Sequence, residues 1–141
     1  MTKRGHELCR LDRALAGIIV YALSLCPVPL MAAEAQVVTV DIRSRVFLPH
    51  RLIITYGQPT VLAIKNHDAE LHAFVPSELL SGVNLNVTGN GAPEFGPQGF
   101  KRGIIPPDGV MEIHFTPERR GEFSYICDMP GHQMNATIMV E

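Results

Sequence analysis

The chain has 141 residues, 46% of them apolar and 18% charged, with a formal net charge of −2. That length accommodates one domain. A mildly acidic balance without a basic run excludes the usual electrostatic footprint for binding nucleic acid or an anionic membrane.

Residues 1–13 are charged and basic, and Ala14 to Leu30 are almost wholly apolar. Ala33-Glu-Ala35 then supplies small residues in an A-x-A pattern. That order is the signature of a secretory signal peptide cleaved after Ala35. The apolar run falls short of the about 20 residues a membrane span needs, and Pro27 and Pro29 interrupt it. A retained anchor would use the same segment, so cleavage is the expectation and a retained anchor its alternative. The expected product is an exported, periplasmic, monomeric domain over 36–141, free of the membrane. It keeps eight of the 12 basic and eleven of the 14 acidic residues, a net charge of −3. Cys9 and Cys26 leave with the signal, so Cys127 remains alone and no internal disulfide is available. A lone exported thiol needs an explanation: either a metal bond protects it or it is buried as a small hydrophobe.

Beyond the cleavage site, Gln36–Ile42 alternates and is β-branched, which predicts a strand. Arg43-Ser-Arg45 reads as a turn, Phe47-Leu-Pro-His50 leads into a strand over 51–56, and Thr60–Lys65 forms the next. Asn66-His-Asp68 marks a turn before Leu71–Val75. Ser77–Gly103 is rich in Gly, Asn and Pro and reads as a long loop with one strand at Val83–Val87. Met111, Ile113 and Phe115 share one face of a strand over 110–115. Glu122–Cys127 and Asn135–Val140 close the chain. Seven or eight short strands, regular turn signals and no helix with an apolar stripe predict an all-β, two-sheet antiparallel Greek-key β-sandwich.

The chemistry concentrates in Phe123-Ser-Tyr-Ile-Cys-Asp-Met-Pro-Gly-His-Gln-Met134. Phe123, Tyr125 and Cys127 alternate toward a core, Met129-Pro-Gly forces a turn, and His132 and Met134 follow. A thiolate, an imidazole and a thioether in one turn are the soft ligands that favour copper. A second imidazole must come from elsewhere. His72, on the same strand face as Phe74, and His67, in the preceding turn, are the candidates. His114 shares a face with Glu112 and points to water, and His50 has no partner pattern.

Two long stretches, Phe47–Phe74 and Phe123–Val140, carry a resemblance to the cupredoxins, the plastocyanin and azurin family of small blue copper proteins. The first has Phe47, Pro49, Gly57, Asn66, His72 and Phe74 at matching positions, the second Tyr125, Cys127, Pro130-Gly131-His132, Met134 and Val140. The resemblance implies His72, Cys127 and His132 as the ligands of one copper ion and Met134 as a weak axial ligand. It also implies an exposed edge of the second imidazole inside an apolar patch, bordered by Pro130 and the 77–103 loop. Two positions depart from the family pattern. Only Gln133 separates His132 from Met134, which leaves the Gln133 carbonyl and Met129 as rival axial ligands. Ala73 stands where many members have Asn directly after the first His, a residue that ties the two ligand loops together. Losing that tie is expected to loosen the site.

The expected function is an electron carrier cycling Cu(I) and Cu(II) with redox-protein partners. The alternative is a copper-binding, delivery or metal-uptake accessory module with copper-exchange partners. A third reading, a metal-free sandwich acting as an interaction module, leaves the ligand array unexplained. An enzyme is not expected: no second mature cysteine offers a binuclear centre, and no Ser-His-Asp arrangement, phosphate loop or H-E-x-x-H motif occurs. One Cys, two His and a Met also fall outside the usual zinc ligand sets.

Overall fold

The computed structural model describes residues 33–141. The expected signal peptide over 1–35 thus lies almost wholly outside the described residues. Every regular element described is a strand: β1 (Gln36–Arg43), β2 (Val46–Leu48), β3 (Arg51–Ile54), β4 (Thr60–Asn66), β5 (His72–Pro76), β6 (Leu85–Gly89), β7 (Ala92–Gly96), β8 (Gly99–Ile105), β9 (Val110–Phe115), β10 (Gly121–Ile126) and β11 (Asn135–Val140).

They form two sheets, one ordered β2-β1-β4-β9-β6 and the other β3-β11-β10-β5-β8-β7. The expected two-sheet sandwich is therefore present, but its sheets are mixed. β1 runs parallel to β4, from Gln36↔Thr60 to Ile42↔Asn66, and β3 runs parallel to β11. A parallel pair needs a crossover between its strands, and strand periodicity alone carries no information about direction.

The alternation read from sequence is the alternation that is buried. Met111, Ile113 and Phe115 of β9 face the core. Leu62 and Ile64 of β4 meet them across the pairs Leu62↔Ile113 and Ile64↔Met111. Tyr125 of β10 packs between Phe47 and Phe74, with ring centroids 4.9 and 5.0 Å away. Fully burying side chains of this size stabilises a fold by about 1.5–3 kcal/mol each. Phe74 follows His72 by two residues on β5 and Tyr125 precedes Cys127 by two, so the core gives the site a stiff floor.

The 77–103 segment differs from expectation. It holds β6, β7 and β8, with the expected strand at 83–87 displaced to Leu85–Gly89. β6 and β7 expose most of their residues, so no apolar face marks them in the sequence. Pairing holds them instead, β6 to β9 and β7 to β8. Pro93 lies on β7, at the free edge of its sheet, where a missing N–H donor is tolerated.

Candidate metal centre

Three side chains from two segments converge at one end of the sandwich. His72 opens β5 and is fully buried, on the same face as Phe74. The turn before it is pinned by Asn66. The Asn66 amide donates to the carbonyls of Glu70 at 2.8 Å, Pro106 at 2.9 Å and Ile105 at 3.2 Å. Its oxygen accepts from the Asp68 N–H at 2.9 Å.

Cys127 continues the inward alternation of β10 one residue past its end, and is 4% exposed. Met129-Pro130-Gly131-His132 is a type II turn. The His132 N–H donates to the Met129 carbonyl at 3.0 Å, and Gly131 takes the positive φ of 80° which that turn requires at its third position. The Cys127 N–H donates to the Met134 carbonyl at 3.1 Å and closes the loop onto β11. Cys127 and Met134 are thereby held facing each other across the loop mouth.

The Cys127 Sγ lies 3.3 Å from Nδ1 of His132 and 3.9 Å from Nδ1 of His72. The three donor atoms all fall within 4.8 Å of one another. The Ala73 backbone N–H points at the Cys127 sulfur from 3.3 Å. This bond links the start of β5 to the Cys127 loop through the backbone, without a side-chain amide.

The outer side of each imidazole faces a carboxylate. His72 donates its Nε2–H to Asp68 Oδ2 at 2.9 Å, which fixes the tautomer and leaves Nδ1 free to bind a metal. Burial holds the His72 imidazole below its ordinary value, and the Asp68 bond opposes that shift without cancelling it. The Asp68 carboxyl is pushed up by its own burial. The N–H bonds from Arg45 and Ser44 and the contact with His72 outweigh this, and the net shift is downward. Glu70 lies 3.6 Å from Nε2 of His132 and 3.9 Å from Nε2 of His72. Its carboxyl is held low chiefly by the hydrogen bonds from Arg45.

The structure brings together His72, Cys127 and His132 as the sequence predicted. Met134 is 3% exposed at the rim of the core, Met129 is partly buried against it, and Gln133 is exposed. His67 is instead paired with Asp41 at 2.6 Å, and His114 lies beside Glu112 and Thr88 on the outer face of β9. Asp68, Glu70 and Arg45 were missed in the sequence. A signal existed for two of them: carboxylates four and two residues before a candidate ligand, in Asp68-Ala-Glu-Leu-His72, are close enough to orient its ring. The second imidazole is less open than expected, although Pro130 beside it is exposed. The His132 side chain is only 6% exposed, and the Glu70 carboxylate lies beside its Nε2.

Two imidazole nitrogens and a sulfur in this arrangement fit a soft transition-metal ion, copper before zinc. Asp68, Glu70 and His72 also cluster, but they share His72 and form the outer layer of the same centre.

Comparison with known proteins agrees with this geometry. Auracyanin A, a "blue" copper protein from the green thermophilic photosynthetic bacterium Chloroflexus aurantiacus, is 15% identical. It superposes with a TM-score of 0.56, covering 77% of this chain and 100% of its own. Auracyanin B is 18% identical with a TM-score of 0.54, over 75% of this chain and 88% of its own. An oxidised amicyanin variant is 18% identical with a TM-score of 0.50, over 74% and 81%. At such identities the likeness is one of fold. No curated protein matches the sequence. The family model described as a cupredoxin-like domain matches residues 15–140. With that match spanning nearly the whole sequence, and a two-sheet sandwich holding the histidines and cysteine at one end, the chain belongs to the cupredoxin-like domain family.

Proposed function

We propose that the protein binds one copper ion through Nδ1 of His72, Sγ of Cys127 and Nδ1 of His132, with Met134 as the weak axial ligand, and carries single electrons between redox proteins. The observation that carries this reading is the convergence of three donor atoms within 4.8 Å, two of them on fully or nearly buried residues. The metal, when bound, supplies a one-electron couple that a thiolate and two imidazoles support in both states. The chain's own residues do the rest. Asp68 orients His72, the Ala73 N–H steadies the sulfur, and the Phe47–Tyr125–Phe74 packing limits movement of the ligand segments. The fold shared with auracyanins A and B supports the same assignment.

The carrier acts as an exported, periplasmic monomer, on the reading of residues 1–35 as a cleaved signal. The role proposed is that of a carrier rather than an enzyme, in keeping with the cupredoxin-like domain family. The one-residue spacing between His132 and Met134 favours copper delivery as a second reading, because it bears on how firmly the axial ligand holds.

A Cu(II)-loaded sample of the 36–141 domain is expected to show intense thiolate-to-copper absorption in the red and a compact type 1 electron paramagnetic resonance spectrum. Cys127→Ala should abolish the colour, and Met134→Ala should shift the spectrum while keeping it. A colourless wild-type protein with no reversible couple refutes the carrier. Rapid loss of Cu(I) to an acceptor, instead of retention over many cycles, selects delivery.

A further inference from the structure

The β1–β2 hairpin turn has an unusual backbone. Ser44 and Arg45 both sit at positive φ, 52° and 58°, in the left-handed region that non-glycine residues seldom enter. Two such residues make a type I′ hairpin turn, which normally selects Asn and Gly. The structure holds this turn in place from outside. The Asp68 carboxylate accepts the Ser44 N–H at 2.7 Å and the Arg45 N–H at 2.9 Å. Strain kept by surrounding contacts points to a role for the side chain so placed.

That side chain is Arg45. Its Nε and Nη2 grip the two Glu70 oxygens at 2.5 and 2.7 Å, a two-point contact that a lysine cannot reproduce. Glu70 in turn lies within 4 Å of Nε2 of both imidazoles. The 3.6 Å approach to His132 is too long for a hydrogen bond, so Glu70 acts on that ring as a placed charge and as cover.

Resting on the copper reading above, we propose that the Arg45–Glu70 pair is a lid over the His132 imidazole, which positions that ring and slows copper exchange at the site. Three observations converge on it. The His132 side chain is 6% exposed although its loop lies at the surface. Glu70 has a two-point partner on another element. The turn carrying that partner is held strained by Asp68, the same residue that orients His72. A redox or exchange partner that approaches Nε2 of His132 from the Glu70 side therefore meets the Arg45–Glu70 pair first.

Arg45→Gly tests this directly, because glycine accepts the positive φ and the backbone bond to Asp68 survives. Glu70→Gln keeps the shape of the other half and removes its charge. In the copper-free protein, the rate at which diethyl pyrocarbonate modifies His132, followed by mass spectrometry, should rise severalfold in both variants. In the copper-loaded protein, removal of Cu(I) by bathocuproine disulfonate should speed up about tenfold, the usual scale for losing such an outer partner. Arg45→Lys should fall between. The copper-free melting temperature of Arg45→Gly should not drop, which separates a positioning role from a merely structural one. Unchanged His132 reactivity overturns the lid, and raised reactivity with unchanged copper release overturns the retention role. A wild-type protein that takes up no copper refutes the copper assignment, while the modification rates still decide whether the lid exists.

Discussion

Asn66→Asp changes one atom in a buried side chain and should nevertheless be severe. Asn66 is 2% exposed, and its amide nitrogen faces three carbonyls, those of Glu70, Pro106 and Ile105. An NH2 group has two hydrogens, so the bonds at 2.8 and 2.9 Å are the full ones and the contact at 3.2 Å shares a hydrogen. Each full bond contributes about 1 kcal/mol net, and leaving the buried acceptors unpaired costs about 1–3 kcal/mol more. The substitution also sets a carboxylate against carbonyl oxygens. The expected loss is about 3–5 kcal/mol, out of the roughly 5–15 kcal/mol typical of a whole domain.

Urea unfolding of the copper-free 36–141 domain measures this loss, and pH supplies a second test. Burial and facing carbonyls raise the folded-state pKa of the introduced carboxyl above its unfolded value of about 3.9. The penalty is therefore complete above the folded value, and it shrinks as pH falls toward about 4 and the group becomes neutral. The gap between variant and parent should narrow in acid. A variant within about 0.5 kcal/mol of the parent, or a gap that widens in acid, would show that the amide does not donate to these carbonyls.

Two further outcomes follow from the described geometry. Among the described residues the Tyr125 hydroxyl is buried with no hydrogen-bond partner, so Tyr125→Phe should leave the domain as stable or raise its stability by about 1–2 kcal/mol. A loss above about 1 kcal/mol in urea unfolding refutes that. His72, Asp68, Glu70 and Glu94 are all held below their ordinary values, chiefly by burial for His72, by Arg45 for Glu70 and by Arg102 for Glu94. For Asp68, burial works the other way and its hydrogen bonds prevail. Each binds protons more readily unfolded than folded, so their contribution is complete at neutral pH. It is lost first below about 6.5 for His72 and then below about 4 for the carboxylates. Thermal melts of the copper-free domain followed by circular dichroism should stay level from pH 8 to pH 7 and fall below about pH 6.5, and a rise between pH 7 and pH 5 contradicts the assignment.

The grouping of His72, Cys127 and His132 was implied by the family resemblance, and the signals it rests on are local. Cys127 and His132 share one short turn whose Pro130-Gly131 dictates its type, and His72 keeps phase with Phe74 on a short apolar strand. The core of β4 and β9 was legible for the same reason. What the sequence hid depends on contacts between distant segments. The parallel pairing of β1 with β4 and of β3 with β11 has no periodic signature. β7 and β8 looked like loop because their stability comes from cross-strand partners, such as the Phe95–Phe100 edge contact and the Glu94–Arg102 pair, and not from an apolar stripe. Arg45 could not be connected to Glu70 without the hairpin that carries it across.

Those unread strands bear on the site itself. Arg102 of β8 grips Glu94 of β7 through two bonds at 2.9 Å and reaches Asp128, the residue after Cys127, through a third at 2.9 Å. Glu94, then Asp128, hold the Arg102 guanidinium above its ordinary value. The ligand loop is thus held by an arginine on the β7–β8 side and faced by a second arginine–carboxylate pair on the β1–β2 side, with the Ala73 N–H between the ligand segments. Surface ion pairs contribute little one at a time, but a pair with fixed bidentate geometry sets position more than it adds stability. Where many family members tie the two loops with one asparagine, this chain has a backbone N–H and two braces from elements remote in sequence. The consequence is a site whose ring positions depend on both sheet edges. Changes at Arg45 or Arg102 should therefore register in the geometry of the centre before they register in the stability of the fold.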